Sequence, residues 1–159
     1  MEVLYQLMID HGVTGFFIAA FLAGSFMPFS SEVVMMALLT TGVDPWGLVI
    51  WGTLGNTLGS VFNYWIGSLG NPRWIKKWTG VSEDKLAKGQ RYVERYGFWA
   101  GWLAWVPLLG SLITVALGLM HARWSLTMVN ILLGKFLRYW LIMFAMVEST
   151  KLVEQFAAM

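Results

Sequence analysis

Three charged side chains stand inside long apolar runs of the sequence, at Glu32, Lys135 and Arg138. Lys135 and Arg138 are three residues apart, so a helix would present both on one face. A charge at the centre of a bilayer costs at least about 2.5–3.5 kcal/mol, and such residues therefore pair with one another or line a wet cavity. We expect Glu32 to pair with Arg138 or Lys135, and a purely structural ion pair is the alternative. Two cations against one carboxylate leave a positive excess, which suits an anion such as a phosphate headgroup.

Polar residues near these charges extend the candidate site. Ser30 and Ser31 follow Pro28, where a half-helix would begin and offer its backbone N–H groups to the same anion. A later segment carries a polar stripe at helical spacing, formed by Thr53, Asn56, Ser60 and Asn63. We expect Thr53 and Asn63 to hold helices together, whereas binding and helix contact remain equal alternatives for Asn56 and Ser60. The candidate substrate-binding residues are Glu32, Lys135, Arg138, Ser30, Ser31, Asn56, Ser60 and Ser111.

Other kinds of chemistry have little support in the sequence. His11 and His121 have no partners at metal-ligand spacing, and the chain contains no cysteine. The serines lack a histidine and acid partner set, and the glycines form no phosphate-loop motif. We therefore expect no enzymatic activity, no metal and no cofactor. A basic segment at 71–96 faces anionic lipid more often than nucleic acid when it lies beside membrane spans.

The composition indicates an integral membrane protein. Hydrophobic residues make up 57% of the 159 residues and charged residues 13%, against about 45–50% and 25% in soluble domains. No Asp, Glu, Lys or Arg occurs between Asp44 and Arg73 or between Arg95 and Arg123, and each gap exceeds the roughly 20 residues that cross a bilayer. A soluble bundle of 18.0 kDa would have to bury nearly all of these segments, and too little chain remains to cover them.

Proline interrupts two of the apolar runs and leaves the others continuous. Pro28 and Pro107 interrupt two of them, and freed backbone groups in lipid must be satisfied inside the protein. We therefore expect an all-α membrane fold of two re-entrant helical hairpins, each followed by a full transmembrane helix. Kinked full spans are the alternative. The predicted single domain comprises hairpin 1 at 12–42, span 1 at 45–69, a basic helical linker at 71–96, hairpin 2 at 97–120, span 2 at 124–147 and a tail at 148–159.

The two halves of the chain repeat one pattern. Gly59 to Trp65 matches Gly134 to Trp140 at the glycine and at the Tyr-Trp pair, and Pro28 and Pro107 precede matching Ala-Leu pairs at identical spacing. The linker carries seven cations against three acids, so the positive-inside rule predicts that it is cytoplasmic. The second unit would then run opposite to the first. Such an inverted repeat places transport sites at mid-membrane, between half-helix tips.

Four motifs give the chain a family resemblance: Pro28-Phe-Ser-Ser-Glu32, Gly55-Asn-Thr-Leu-Gly59, Trp105-Val-Pro-Leu-Leu-Gly110 and Gly134-Lys-Phe-Leu-Arg-Tyr139. Together they resemble the DedA family, also called the VTT or SNARE-associated domain family, and its YqaA-like bacterial branch in particular. The resemblance implies a bacterial inner-membrane protein with two opposed re-entrant hairpins. Members are implicated in moving lipids, including undecaprenyl phosphate and phospholipids, with ion coupling proposed for some.

The resemblance carries over to some positions of this chain and not to others. The family's membrane-embedded glutamate matches Glu32. Ser60 stands where many members have an acid, Ala104 where many have an arginine, and Ser111 where YqaA-like relatives often have aspartate. These departures would leave the cationic role to Lys135 and Arg138.

We therefore expect a lipid transporter, flippase or scramblase for a phosphate-bearing lipid in the bacterial inner membrane. A carboxylate in a semi-dry site can titrate, which would couple transport to protons, and cation coupling is the related option. The alternative from another class is a non-transporting membrane factor for envelope assembly or cell division. The expected partners are membrane lipids, and glycine-rich helix faces are compatible with a homodimer.

Overall fold

The computed structural model describes residues 2–25, 30–80, 82–106 and 109–157, and all of their regular structure is helical. Pro28 and Pro107, the two predicted breaks, lie outside the described residues. The helices are α1 Glu2–Gly24, α2 Ser31–Leu39, α3 Pro45–Ser68, α4 Pro72–Thr79, α5 Glu83–Tyr96, a 3-10 helix Gly97–Trp105, α6 Leu109–Leu119 and α7 Trp124–Ala157.

Two helices begin at a capping residue followed by proline. The Gly47 N–H donates to Asp44 Oδ2 at 2.6 Å, which satisfies one of the free donors in the first turn of α3. The Arg73 N–H donates to Asn71 Oδ1 at 3.0 Å at the start of α4. Proline fits the first helical position because its missing N–H would have no partner there. Helix α3 therefore starts at the predicted residue and ends one residue before the predicted boundary at 69.

Three larger differences separate the observed elements from those predicted. Helix α1 starts at Glu2, ten residues before the predicted start at Gly12, because no glycine or proline interrupts that segment. The 97–120 run opens with a 3-10 helix rather than an α-helix, in a stretch of glycines and tryptophans with low helix propensity. Helix α7 continues through the predicted tail to Ala157, since residues 148–157 are mostly good helix formers.

Helix α3 lies at the centre of the fold and is polar on the inside. It packs against α1, α6 and α7. Its buried positions include Thr53, Asn56, Ser60 and Asn63. Its exposed positions carry large apolar side chains: Trp46, Ile50, Trp51, Leu54, Leu58 and Trp65. A surface helix of a water-soluble protein has the opposite arrangement, so this outer surface suits lipid.

One helix among the described residues is both long and apolar enough to cross a membrane, over the 29 residues Trp124–Leu152. Helix α3 has 24 residues and measures about 36 Å at 1.5 Å per residue. That length exceeds the roughly 30 Å of a hydrocarbon core.

Glycines allow α3 and α6 to cross at backbone contact. A Cβ added to Gly118 would lie 2.0 Å from the Tyr64 carbonyl oxygen, and one added to Gly67 would lie 2.1 Å from that of Val115. No side chain fits at either position. Small residues permit this kind of approach between membrane helices, where packing rather than water exclusion drives association.

We predict that Gly118→Ala destabilises the fold by about 1–3 kcal/mol, because the added methyl group would force α3 and α6 apart. Gly15→Ala is the matched control, since an added Cβ there meets nothing within 4 Å. The measurement is thermal unfolding in detergent micelles, followed by tryptophan fluorescence. Equal stability of the two variants would contradict the close crossing.

Candidate functional site

An ion pair between Glu32 and Arg138 joins the first turn of α2 to the middle of α7. The exposed fractions of the two side chains are 16% for Glu32 and 13% for Arg138, so both charges are largely withdrawn from the surface. The contact is supported by apolar packing, because Met35 and Leu38 of α2 share a buried cluster with Met143 of α7. Scarcity of charge in the apolar runs was the signal that identified both residues.

The two serines at the start of α2 have different partners. The Ser30 hydroxyl is exposed and donates to Glu32 Oε2 at 2.6 Å. The Ser31 hydroxyl is buried and lies 2.7 Å from the Tyr139 hydroxyl on α7. Glu32 therefore contacts Arg138 through one oxygen and Ser30 through the other. These contacts fix the beginning of α2 against α7.

Tyr139 is a site residue that the sequence reasoning missed. It is fully buried, and its ring packs edge-on against Phe16 of α1 at 5.8 Å between centroids. The sequence offered a signal, because Tyr139 follows Arg138 and is the repeat counterpart of Tyr64. Because tyrosine and tryptophan in membrane proteins often mark the membrane–water interface, residue type alone does not place Tyr139 in the site.

Lys135 is only 2% exposed and points toward α3. Its Nζ donates to the Asn56 carbonyl oxygen and to Ser60 Oγ. Among the described side chains, the two ion pairs are Arg138 with Glu32 and Lys151 with Glu148, and neither includes Lys135. The structure thus brings the side chain of Ser60 and the backbone carbonyl of Asn56 to the second cation rather than to the carboxylate.

The hydrogen bond of Ser111 goes to the end of α1 rather than to the other predicted residues. Its hydroxyl donates to the Ser25 carbonyl oxygen at 2.6 Å. Nearby in sequence, the Gly24 carbonyl oxygen accepts from Asn63 Nδ2 at 3.1 Å. Ser111 and Asn63 thus connect α6 and α3 to the end of α1. For Asn63 this is the helix-to-helix contact that we expected.

The arrangement resembles an anion-binding site whose cation is already paired with a carboxylate of the protein itself. Arg138 offers a planar guanidinium, which binds carboxylate and phosphate in the same two-pronged geometry. Glu32 occupies that guanidinium. An entering anion would either displace Glu32 from Arg138 or bind Lys135, whose side chain lies between α7 and α3.

Comparisons with known proteins place the chain among membrane proteins. The VTT domain family matches residues 27–148. The chain is 34% identical over 124 residues to the inner membrane protein YqaA of Escherichia coli, covering 77% of this chain and 82% of that protein. It is 32% identical over 136 residues to an uncharacterised protein of Haemophilus influenzae, covering 80% and 83% of the two chains.

More distant relatives extend beyond the bacteria. An uncharacterised protein of Methanocaldococcus jannaschii is 26% identical over 140 residues, covering 87% of this chain and 86% of that one. No solved structure matches the chain at a significant level. The family match covers most of the chain and includes every candidate site residue, so this protein belongs to the VTT domain (DedA) family of membrane proteins.

Proposed function

We propose that this protein moves a phosphate-bearing lipid, undecaprenyl phosphate or a phospholipid, across the bilayer. The observation that carries the proposal is the largely buried ion pair of Glu32 and Arg138 inside an apolar exterior. Charged groups inside a membrane are costly, and they most often mark a path for a polar substrate. A lipid suits such a path, because its polar headgroup can enter the site while its tails remain in the surrounding bilayer.

The proposed binding step is an exchange of anions on Arg138. The phosphate takes the place of the Glu32 carboxylate on the guanidinium, forming two parallel charge-assisted hydrogen bonds. Ser30, which donates to Glu32, holds the displaced carboxylate near the site. Since one anion replaces another, Arg138 is never left as an uncompensated charge in a poorly hydrated place.

We also propose that the site lies on the axis of an inverted repeat. Ser60 and Lys135 each follow the glycine of the repeated motif, so they occupy equivalent positions in the two halves. They also hydrogen-bond to each other. A residue that contacts its own counterpart lies at the two-fold axis relating the halves, as in a symmetric dimer interface. This contact supports two opposed units, with broken helices at Pro28 and Pro107 as re-entrant hairpins.

The proposed location is the bacterial inner membrane, crossed more than once, with the linker at 71–96 in the cytoplasm. The linker's cations are all exposed on α4 and α5, at Arg73, Lys76, Lys77, Lys85, Lys88, Arg91 and Arg95. Such a surface attracts the anionic lipids of the cytoplasmic leaflet. The E. coli relative is named as an inner membrane protein, which supports this location.

We predict that Arg138→Gln lowers the rate of lipid flipping about ten- to hundredfold, because one charged hydrogen-bonding group contributes about 1.5–3 kcal/mol. The measurement uses the purified protein in liposomes, with labelled phospholipid made accessible to a reductant from outside. Arg123→Gln is the matched control, since Arg123 is exposed at the start of α7. Equal accessibility of the label with and without wild-type protein would instead favour the non-transporting membrane factor.

We predict that Glu32→Gln binds a short-chain phospholipid more tightly than wild type does, yet flips labelled lipid more slowly. The substitution removes the anion that competes for Arg138. The headgroup therefore binds without competition and dissociates more slowly. Isothermal titration in micelles measures the affinity, and the liposome assay measures the rate. Weaker binding by Glu32→Gln would contradict the exchange of anions.

We predict that a single cysteine at Lys77 is labelled only from the cytoplasm and one at Ser149 only from outside. Both positions are exposed, and the chain contains no cysteine of its own. Impermeant maleimide applied to cells and to inverted vesicles makes the measurement. Labelling of both positions from the same side would contradict the proposed orientation.

A further inference from the structure

The hydrogen bonds of Lys135 match an amine better than an ammonium. An ammonium carries three N–H donors, whereas an uncharged amine carries two and a lone pair. Lys135 Nζ has two acceptors among the described residues, the Asn56 carbonyl oxygen and Ser60 Oγ. Both acceptors are neutral, and Lys135 and Ser60 are almost completely buried. A third N–H would be left without an acceptor in this part of the structure, where its loss from water is costly.

The other titratable groups around Lys135 are already engaged or lie elsewhere. Helix α3 has no Asp, Glu, Lys or Arg, and its Tyr64 hydroxyl donates to the Ala122 carbonyl oxygen. Helix α2 contributes only Glu32, which contacts Arg138 and Ser30. The 3-10 helix that packs on α7 contains no titratable residue. On α7 itself, the neighbours of Lys135 are Arg138 and Tyr139, and neither can neutralise a second positive charge.

We propose that Lys135 is the proton-carrying residue of the site, uncharged when the site is empty and an ammonium when a phosphate is bound. The inference rests on the proposed lipid transport and names its coupling group. On loading, the lone pair of the amine takes a proton from a hydronium ion in the aqueous phase to which the site opens, and water is released. On unloading, the ammonium returns that proton to water as the phosphate departs.

Charge neutrality of the buried site explains why proton and phosphate move together. When the site is empty, Glu32 balances Arg138 and an uncharged Lys135 adds nothing. When a headgroup with a single negative charge binds, a protonated Lys135 balances it. The buried groups therefore carry no net charge in either state, which is the condition that a poorly hydrated site favours. A phosphodiester, with one negative charge, satisfies this condition.

Glu32 is less suited to the same role. One of its oxygens forms the ion pair with Arg138, and the other accepts a hydrogen bond from Ser30. A nearby cation and a donated hydrogen bond both favour the ionised carboxylate. Glu32 thus remains an anion that competes with the substrate, while the proton moves on Lys135.

The first test measures the charge of Lys135 in the lipid-free protein. The full chain is labelled with ¹⁵N at the lysine side chains, and the Nζ signals are followed by NMR in micelles between pH 6 and 9. The signal of Lys135 is identified by its loss in Lys135→Arg. We expect an uncharged amine for Lys135 at pH 7.5, and the reference signal is that of Lys151, which is exposed and paired with Glu148 at 2.9 Å. An ammonium at Lys135 throughout this range would overturn the inference, whatever the protein transports.

The second test measures proton uptake when dihexanoyl phosphatidylglycerol, a short-chain phosphodiester lipid, is added in weak buffer. We expect one proton per lipid bound in wild type. Because binding takes up a proton, affinity should fall about tenfold per pH unit above the pH at which free Lys135 titrates, and level off below it. Lys135→Arg and Lys135→Met should both lose the proton uptake and the pH dependence. Lys151→Arg should retain both.

The outcomes separate the two proposals. Binding without proton uptake in wild type, or an unchanged pH dependence in Lys135→Met, would overturn the role of Lys135 and leave lipid transport intact. Failure of wild type both to bind this lipid and to flip labelled lipid in liposomes would overturn the proposed function, and with it the coupling.

Discussion

A charge surrounded by hydrocarbon must be neutralised from within the protein, and in this chain the pairing of Glu32 with Arg138 meets that requirement. The pair joins α2, a helix of nine residues, to α7, a helix of 34. A helix as short as α2 is not stable by itself. Its place in the fold depends on contacts with its neighbours: the ion pair, the hydrogen bond between the Ser31 and Tyr139 hydroxyls, and the apolar cluster behind them.

The same requirement explains the inverted pattern of α3. The polar side chains of Thr53, Asn56, Ser60 and Asn63 turn inward, and large apolar side chains such as Trp51, Leu54 and Leu58 turn outward. Asn63 reaches the carbonyl oxygen of Gly24, and Ser60 meets Lys135. Glycines on the same helix allow its neighbours to come close enough for these short side chains to reach them. In this protein, close helix packing is what allows the polar contacts to form.

Much of this organisation could be predicted from the sequence, because membrane proteins contain few charges and few breaks. Glu32, Lys135 and Arg138 were conspicuous among apolar neighbours, and Asp44-Pro45 located the start of α3. Which cation meets Glu32 could not be predicted, since Lys135 and Arg138 share a helix face and lie only about 4.5 Å apart along α7. Tyr139 was missed because a tyrosine in an apolar helix carries no sign of burial. The partner of Ser111 depends on how the end of α1 meets α6, which local sequence does not encode.

The unbroken length of α7 has a mechanical consequence. Its 34 residues measure about 51 Å, so the helix extends well beyond a hydrocarbon layer of about 30 Å. No proline occurs along it and no glycine follows Gly134, so it acts as a stiff rod from the lipid into water. Lys135 and Arg138 are attached to that rod three residues apart, one contacting α3 and the other α2. A force applied to the C-terminal end of α7 would therefore displace Lys135 and Arg138 together and disturb both contacts at once.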